Sequence, residues 1–263
     1  MKSELKLCIE KTCGRSVVTD SYATSPIKLG YPQNYTDPER LKVVIMMASA
    51  GLLKGDIHQY EIVCGQETKT YITDQAFTKI FDTGTGNVQK EVKIELKKNA
   101  SLIFRPSTVM PFQNSSFQGK IQICLSEKSE LLYTDMIAAG RIAMGERFAF
   151  REYRNRTEIK VEDSPVWIDH CLLHPEIIDC DGLTMFDGYS HQGVVYYYGK
   201  KEELLKTYVL SETNDAMLWK DVYCGVSDTV KGCCVRMLSD SAQKLEKIIQ
   251  NIINLIFEYE HEV

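Results

Sequence analysis

The sequence lacks what several function classes require. Its longest uncharged apolar run, residues 43–53 between Lys42 and Lys54, falls far short of the roughly 20 residues a membrane-crossing helix needs. Basic charge is not in surplus: 31 Lys+Arg stand against 36 Asp+Glu, a formal net charge of −5. That balance argues against binding nucleic acid through phosphate contacts. Residues 1–8 carry Lys2, Glu4 and Lys6 where the apolar core of a secretory leader would sit. Nine cysteines form no framework of paired spacings, and Cys233 and Cys234 are adjacent. Free thiols in a reducing compartment are therefore expected, and with them a cytoplasmic protein. Common catalytic signatures are missing as well. There is no GxSxG elbow, no Walker-type loop, no HExxH and no CxxC pair. Gly84-Thr85-Gly86 has no third glycine and no following helical pattern, so it reads as a loop between strands.

What is present is a dominant period of two. Glu91-Val92-Lys93-Ile94-Glu95-Leu96-Lys97 alternates charge with aliphatic, and residues 119–125 and 157–162 repeat the pattern. Such alternation sets one apolar face per strand. Further strands are expected over 5–9, 16–21, 41–47, 60–64, 69–73, 101–104, 131–137, 148–154 and 194–198, with a turn at Asp163-Ser164-Pro165. Apolar content of 44% and 25% charged residues suit a folded body with a full core. Helical patterns come late, over 200–210 and 239–259, while 227–237 fits either state. In the last helix Ser239-Asp240-Ser241 precedes an apolar stripe of Leu245, Ile248, Ile249, Ile252, Ile253 and Ile256. That stripe is expected to pack on the chain's own body. The fold class is thus all-β dominated, and alternation alone leaves a β-helix and a sandwich equally open.

Two clusters carry possible chemistry. His170, Cys171 and His174, followed by Cys180, combine imidazole and thiol groups suited to a transition metal. Their spacing matches no structural zinc pattern, and buried thiols beside surface histidines fit equally well. The remaining histidines, His58, His191 and His261, are scattered. The second cluster is Asp135 in an apolar strand, followed by Gly140-Arg141 and Gly145-Glu146. Arg141 and Glu146 flank a glycine-punctuated turn within reach of Asp135, where a buried ion pair is the structural alternative to a functional carboxylate.

The second cluster resembles a signature of the urease accessory protein family called UreD, or UreH in some bacteria: an acidic residue in a strand, then Gly-Arg, then Gly-Glu and an aromatic, here Phe148. Other segments are similar to that family in the same order. They are Ser49-Ala50-Gly51-Leu52-Leu53-Lys54-Gly55-Asp56, Gln75-Ala76-Phe77-Thr78-Lys79-Ile80-Phe81, the proline-punctuated stretch 102–118, and Asn155-Arg156-Thr157-Glu158-Ile159. The likeness runs over about residues 5 to 190. It departs where Ser49-Ala50 replaces the usual Pro-Gly and Lys54 replaces a glycine.

The resemblance implies an elongated, β-helix-like body with two helices near the carboxyl end. The whole chain, 1–263, would be one unit, with a β body over about 5–198 and a helical part over about 200–260. It implies a non-catalytic scaffold that acts with a helical UreF-type protein and a UreG-type GTPase on apo-urease. No tightly bound cofactor is expected, only nickel(II) in passage. Carried over by position, Asp56, Thr78, Asp135 and Asp169 become candidates for a polar nickel path, and Arg141 and Glu146 for bracing it or meeting a partner. Separated carboxylates and hydroxyls suit passage better than thiolates, which would hold the ion. Asp169 follows the alternating Val166 and Ile168, so it need not be a core-facing residue. The alternatives are a metal-dependent hydrolase on the His170–Cys180 cluster, or a ligand-binding β-domain presenting Tyr196-Tyr197-Tyr198, a triplet whose faces alternate.

Overall fold

The structure is a computed structural model that describes residues 1–35, 37–215 and 221–257. The chain opens with β1 (Lys2–Thr12), β2 (Arg15–Ala23), β3 (Ile27–Leu29), β4 (Gln33–Asn34) and β5 (Arg40–Met47). It continues through β6 (Ile57–Cys64), β7 (Lys69–Gln75), β8 (Thr78–Ile80), β9 (Val88–Leu96) and β10 (Ser101–Arg105). Then come β11 (Val109–Pro111), β12 (Ser116–Leu125), β13 (Glu130–Ala138), β14 (Glu152–Val161), β15 (Ser164–Leu173) and β16 (His191–Tyr198). The carboxyl part holds α1 (Glu202–Asp215), β17 (Val222–Asp228), β18 (Cys233–Ser239) and α2 (Ala242–Phe257).

These strands wind as a flattened β-solenoid. The first sheet has the order β15-β14-β12-β9-β6-β1-β2, and the second runs β17-β18-β16-β13-β10-β7-β5-β3. From β5 to β14 each main coil gives one strand to each sheet, so β1, β6, β9, β12 and β14 stack in parallel, as do β5, β7, β10 and β13. At the ends of the stack the direction reverses: β2 runs against β1, β15 against β14, β3 against β5 and β16 against β13.

Parallel register with a period of two lines the inner faces up as level rungs. Leu7, Ile62, Ile94, Ile123 and Ile159 form one rung of the first sheet, and Ile9, Cys64, Leu96, Leu125 and Val161 form another. Facing them, Val43, Ile72, Phe104, Tyr133 and Tyr196 line the second sheet. Together they make the main core. The phase-opposite residues of the first sheet stay in water as charged pairs, such as Lys120 with Glu91 at 3.6 Å and Lys6 with Glu61 at 3.4 Å.

The outer face of the second sheet is apolar instead, and the helices cover it. Leu245, Ile248, Ile249, Ile252, Ile253 and Ile256 of α2 are buried against Ile103, Leu132, Val195, Tyr197 and Val235, with Leu205 and Val209 of α1 beside them. The Ser241 hydroxyl accepts the Lys244 N–H at 3.3 Å, a side-chain cap for α2. The helical stripe packs on its own body, as expected. Its last residues, from 258, lie outside the described residues, as does His261.

Several expectations are corrected. The strand expected over 148–154 begins only at Glu152, because Phe148 sits at φ 49 and its N–H closes a tight turn onto the Ala139 carbonyl at 2.6 Å. Pro165 lies within β15, and the reversal falls one step earlier, where Glu162 has φ 52. The segment 227–237, which fits either state by sequence, is the end of β17, the turn at 229–232 and most of β18.

Candidate functional site

One rung breaks the apolar rule. Inward on the first sheet, Ser3, His58, Lys90, Gly119, Asn155 and Cys171 lie side by side. Opposite, at the same level of the second sheet, Ile45 pairs with Asp74 and Asp135 pairs with Val194. This polar rung separates the main core from a second interior cluster built on Val88, Phe117, Ile137, Phe150, Tyr153 and Leu173.

Two bonds tie the sheets together across it. The Lys90 ammonium lies 3.1 Å from Asp74 Oδ2 and 4.8 Å above the Tyr60 ring. Burial works against that charge, but the Asp74 carboxylate outweighs it and raises the Lys90 pKa. Further along, Asn155 Nδ2 donates to Asp135 Oδ2 at 2.6 Å. Gly119 makes this reach possible, since a Cβ there would stand 2.2 Å from Asn155 Oδ1. Burial pushes the Asp135 carboxyl up to about 6, against the Asn155 bond, and the Asp169 charge adds to the rise.

Two neighbouring cavities lie at this level. A cavity of about 150 Å³ runs in from exposed Ser49, Phe77 and Lys79 to His58, Asp74 and Lys90. A smaller one of about 30 Å³ is bordered by Asp135, Asn155 and Tyr153. Thr78, Lys90 and Ser107 line both. Thr78 Oγ1 and Ser107 Oγ share a hydrogen bond of 3.1 Å.

The four path candidates are therefore placed unequally. Thr78 lines both neighbouring cavities and Asp135 the smaller one. Asp56 points inward two residues before His58, but its oxygens are engaged: Oδ2 accepts the Leu53 N–H at 2.8 Å, and Oδ1 lies 2.9 Å from the Met1 amino group. Burial would raise its pKa, yet these partners lower it overall. The orientation of Asp169, left open by the alternation of Val166 and Ile168, is set by a bulge. A bulge opposite Ile159 and Lys160 turns both Val166 and Trp167 inward, which reverses the phase and exposes Ile168. Asp169 then points in, where Arg236 Nη2 meets Oδ1 at 2.5 Å.

Arg141 and Glu146 do not reach Asp135. They pair with each other, Arg141 Nε donating to Glu146 Oε2 at 2.8 Å, while the guanidinium stacks 4.1 Å over Phe112. Glu146 Oε2 also accepts the Gln113 N–H at 3.1 Å. The glycine-punctuated turn thus locks onto the loop after β11 instead of the interior.

The His170–Cys180 cluster is not assembled either. Strand alternation sends exposed His170 outward, while Cys171 points toward the interior cluster that holds Cys180. Burial, with the Asp135 charge behind it, pushes the Cys171 thiol up to about 12, so it remains protonated. Among the described residues no three His, Cys, Asp or Glu side chains come together as a metal cage.

The residues that sequence reading passed over are His58, Asp74, Lys90, Ser107 and Asn155. Three of them carried a signal. His58 shares the phase of Tyr60 and Ile62, Asp74 that of Ile72, and Lys90 that of Val92 and Ile94. Each is a polar or charged group where the alternation calls for an aliphatic one.

Comparison with known proteins agrees with this architecture. The model of the family described as UreD urease accessory protein matches residues 1–262. A Helicobacter pylori (strain P12) protein named urease accessory protein UreH is 36% identical over 178 residues, covering 68% of this chain and 67% of the relative. The UreH of strain HPAG1 is 32% identical over 244 residues, 92% of this chain and 90% of its own length. A urease accessory protein UreD of Acetivibrio thermocellus is 29% identical over 259 residues, 97% of each chain. A solenoid of this kind, matched by the family's model over nearly its full length, belongs to the UreD family of urease accessory proteins.

Proposed function

We propose that the chain is a non-catalytic scaffold for urease maturation, and that the polar rung is part of a route by which nickel(II) moves toward the apo-urease active site. The observation that supports this most is the gathering of polar inner groups at this level, where two neighbouring cavities carry Thr78, Ser107 and Asp135 between mainly apolar layers. An interior built for stability alone would fill that level with aliphatic side chains, because buried polar groups cost free energy unless matched. Carboxylates, hydroxyls and room for water offer a borderline cation successive weak positions.

On this reading the chain acts in the cytoplasm as one unit with a UreF-type helical protein, a UreG-type GTPase and apo-urease, nickel being cargo and not a resident cofactor. The hydrolase alternative loses support because His170 and Cys171 face opposite ways. The ligand-binding alternative does so because Tyr196 and Tyr197 are fully buried on opposite faces of β16.

The test is complementation of a urease operon lacking its own UreD-type gene. Nickel-dependent urease activity is expected to return with this chain. Asp135→Ala is expected to form the same complexes and activate poorly, and full activation by that variant would remove Asp135 from the route.

A further inference from the structure

His58 is 1% exposed, and neither ring nitrogen meets a hydrogen-bonding protein atom. Asp74 is in the same position by half: Oδ2 holds Lys90, while buried Oδ1 has no protein partner. Unmatched polar atoms of this kind are rare in folded interiors, and each one calls for an explanation. Both side chains border the 150 Å³ cavity that opens beside Ser49 and Phe77. That space exceeds what one water needs, so a partly hydrated ion fits. Burial and the nearby Lys90 charge push the imidazole down to about 4, leaving it neutral at pH 7 with a lone pair to give.

We propose that His58 and Asp74 form a two-ligand entry site for a borderline divalent cation, completed by water and placed at the inner end of that cavity. This rests on the route reading above and adds its first station. Imidazole nitrogen and carboxylate oxygen are donors suited to nickel(II) and its neighbours in the series. Two protein ligands instead of four make the site weak enough to release its ion. The fixed ammonium of Lys90, bonded to the second Asp74 oxygen, lowers affinity further by like-charge repulsion. The site therefore selects donor chemistry on entry without becoming a sink. The next polar groups, Thr78 and Ser107, line both this cavity and the neighbouring one at Asp135.

The experiment uses the full chain, purified with its helical partner if that is needed for solubility, and nickel(II) as the probe. Isothermal titration and X-ray absorption of the wild type are expected to show one weak site with imidazole in its shell. His58→Leu is expected to weaken binding at least tenfold and remove the imidazole signal, with thermal unfolding unchanged or improved because two unmatched nitrogens are gone. His170→Gln is expected to change neither. Asp74→Asn leaves Lys90 without its carboxylate and serves only if it folds; His58→Leu decides alone. Nickel binding with an imidazole signal that survives His58→Leu, or no nickel binding by the wild type, overturns the site. Failure of the wild-type chain to restore urease activity would overturn the route instead, so the two outcomes are separable.

Discussion

The inner and outer faces of this solenoid handle polar groups in opposite ways. Outside, the first sheet carries alternating charges that pair in water, such as Glu91 with Lys93 and Lys120 at 3.7 and 3.6 Å. Inside, the polar rung holds an ammonium, a neutral imidazole and two carboxylates between two apolar layers. The same residue types thus contribute little in one place and a great deal in the other. Solvation makes the difference. An exposed pair competes with water for each partner, whereas a buried charge depends on its partner entirely.

Breaking the inner pair gives the largest expected effect. Lys90→Met leaves the Asp74 carboxylate unmatched and is expected to cost about 3–5 kcal/mol, measured by urea denaturation at pH 7; a loss below 1 kcal/mol would mean water reaches the pair. Ile123→Ala, two rungs further into the apolar core, is expected to cost about 2–4 kcal/mol through the cavity left behind, in the same assay.

The rung also predicts a pH signature. Asp135 titrates near 6 in the fold and near 3.9 when unfolded. Its contribution is therefore fully present below about pH 4 and lost as pH rises through 6. Relative to Asp135→Asn, wild-type stability is expected to fall by up to about 3 kcal/mol between pH 4 and 7. Parallel pH profiles for the two proteins would contradict the assigned burial. The smallest effect belongs outside: Glu91→Ala is expected to shift stability by less than about 0.5 kcal/mol, and less still in high salt.

The contrast between faces also explains what was legible from sequence. Alternation in 91–97 and 119–125 placed strands and inner faces correctly, and the stripe from Leu245 to Ile256 placed the terminal helix. Winding was not legible, because period two is shared by parallel and antiparallel strands; the solenoid came from resemblance. The polar rung was written in the sequence as Lys90 in phase with Val92, but a single exception to a pattern looks like noise until neighbouring coils put His58, Asn155 and Asp74 at the same height. The inward direction of Asp169 was not legible, because a bulge shifts phase without leaving a mark in composition. Arg141 and Glu146, read as within reach of Asp135, pair with each other instead, because nearness in sequence does not set direction; Gly140, which separates them from the strand of Asp135, has φ 126.

The reversed strands at the ends of the stack have a consequence of their own. A ladder of parallel coils is an open template, and a second copy settling on a bare coil would extend it toward a fibre. Here the first sheet is closed at one end by β2 and at the other by β15, both running against their neighbours. A further coil in the repeating direction would meet a strand running against it, so the parallel repeat is not continued at either edge. The reversed end strands thus mark where the run of parallel coils ends.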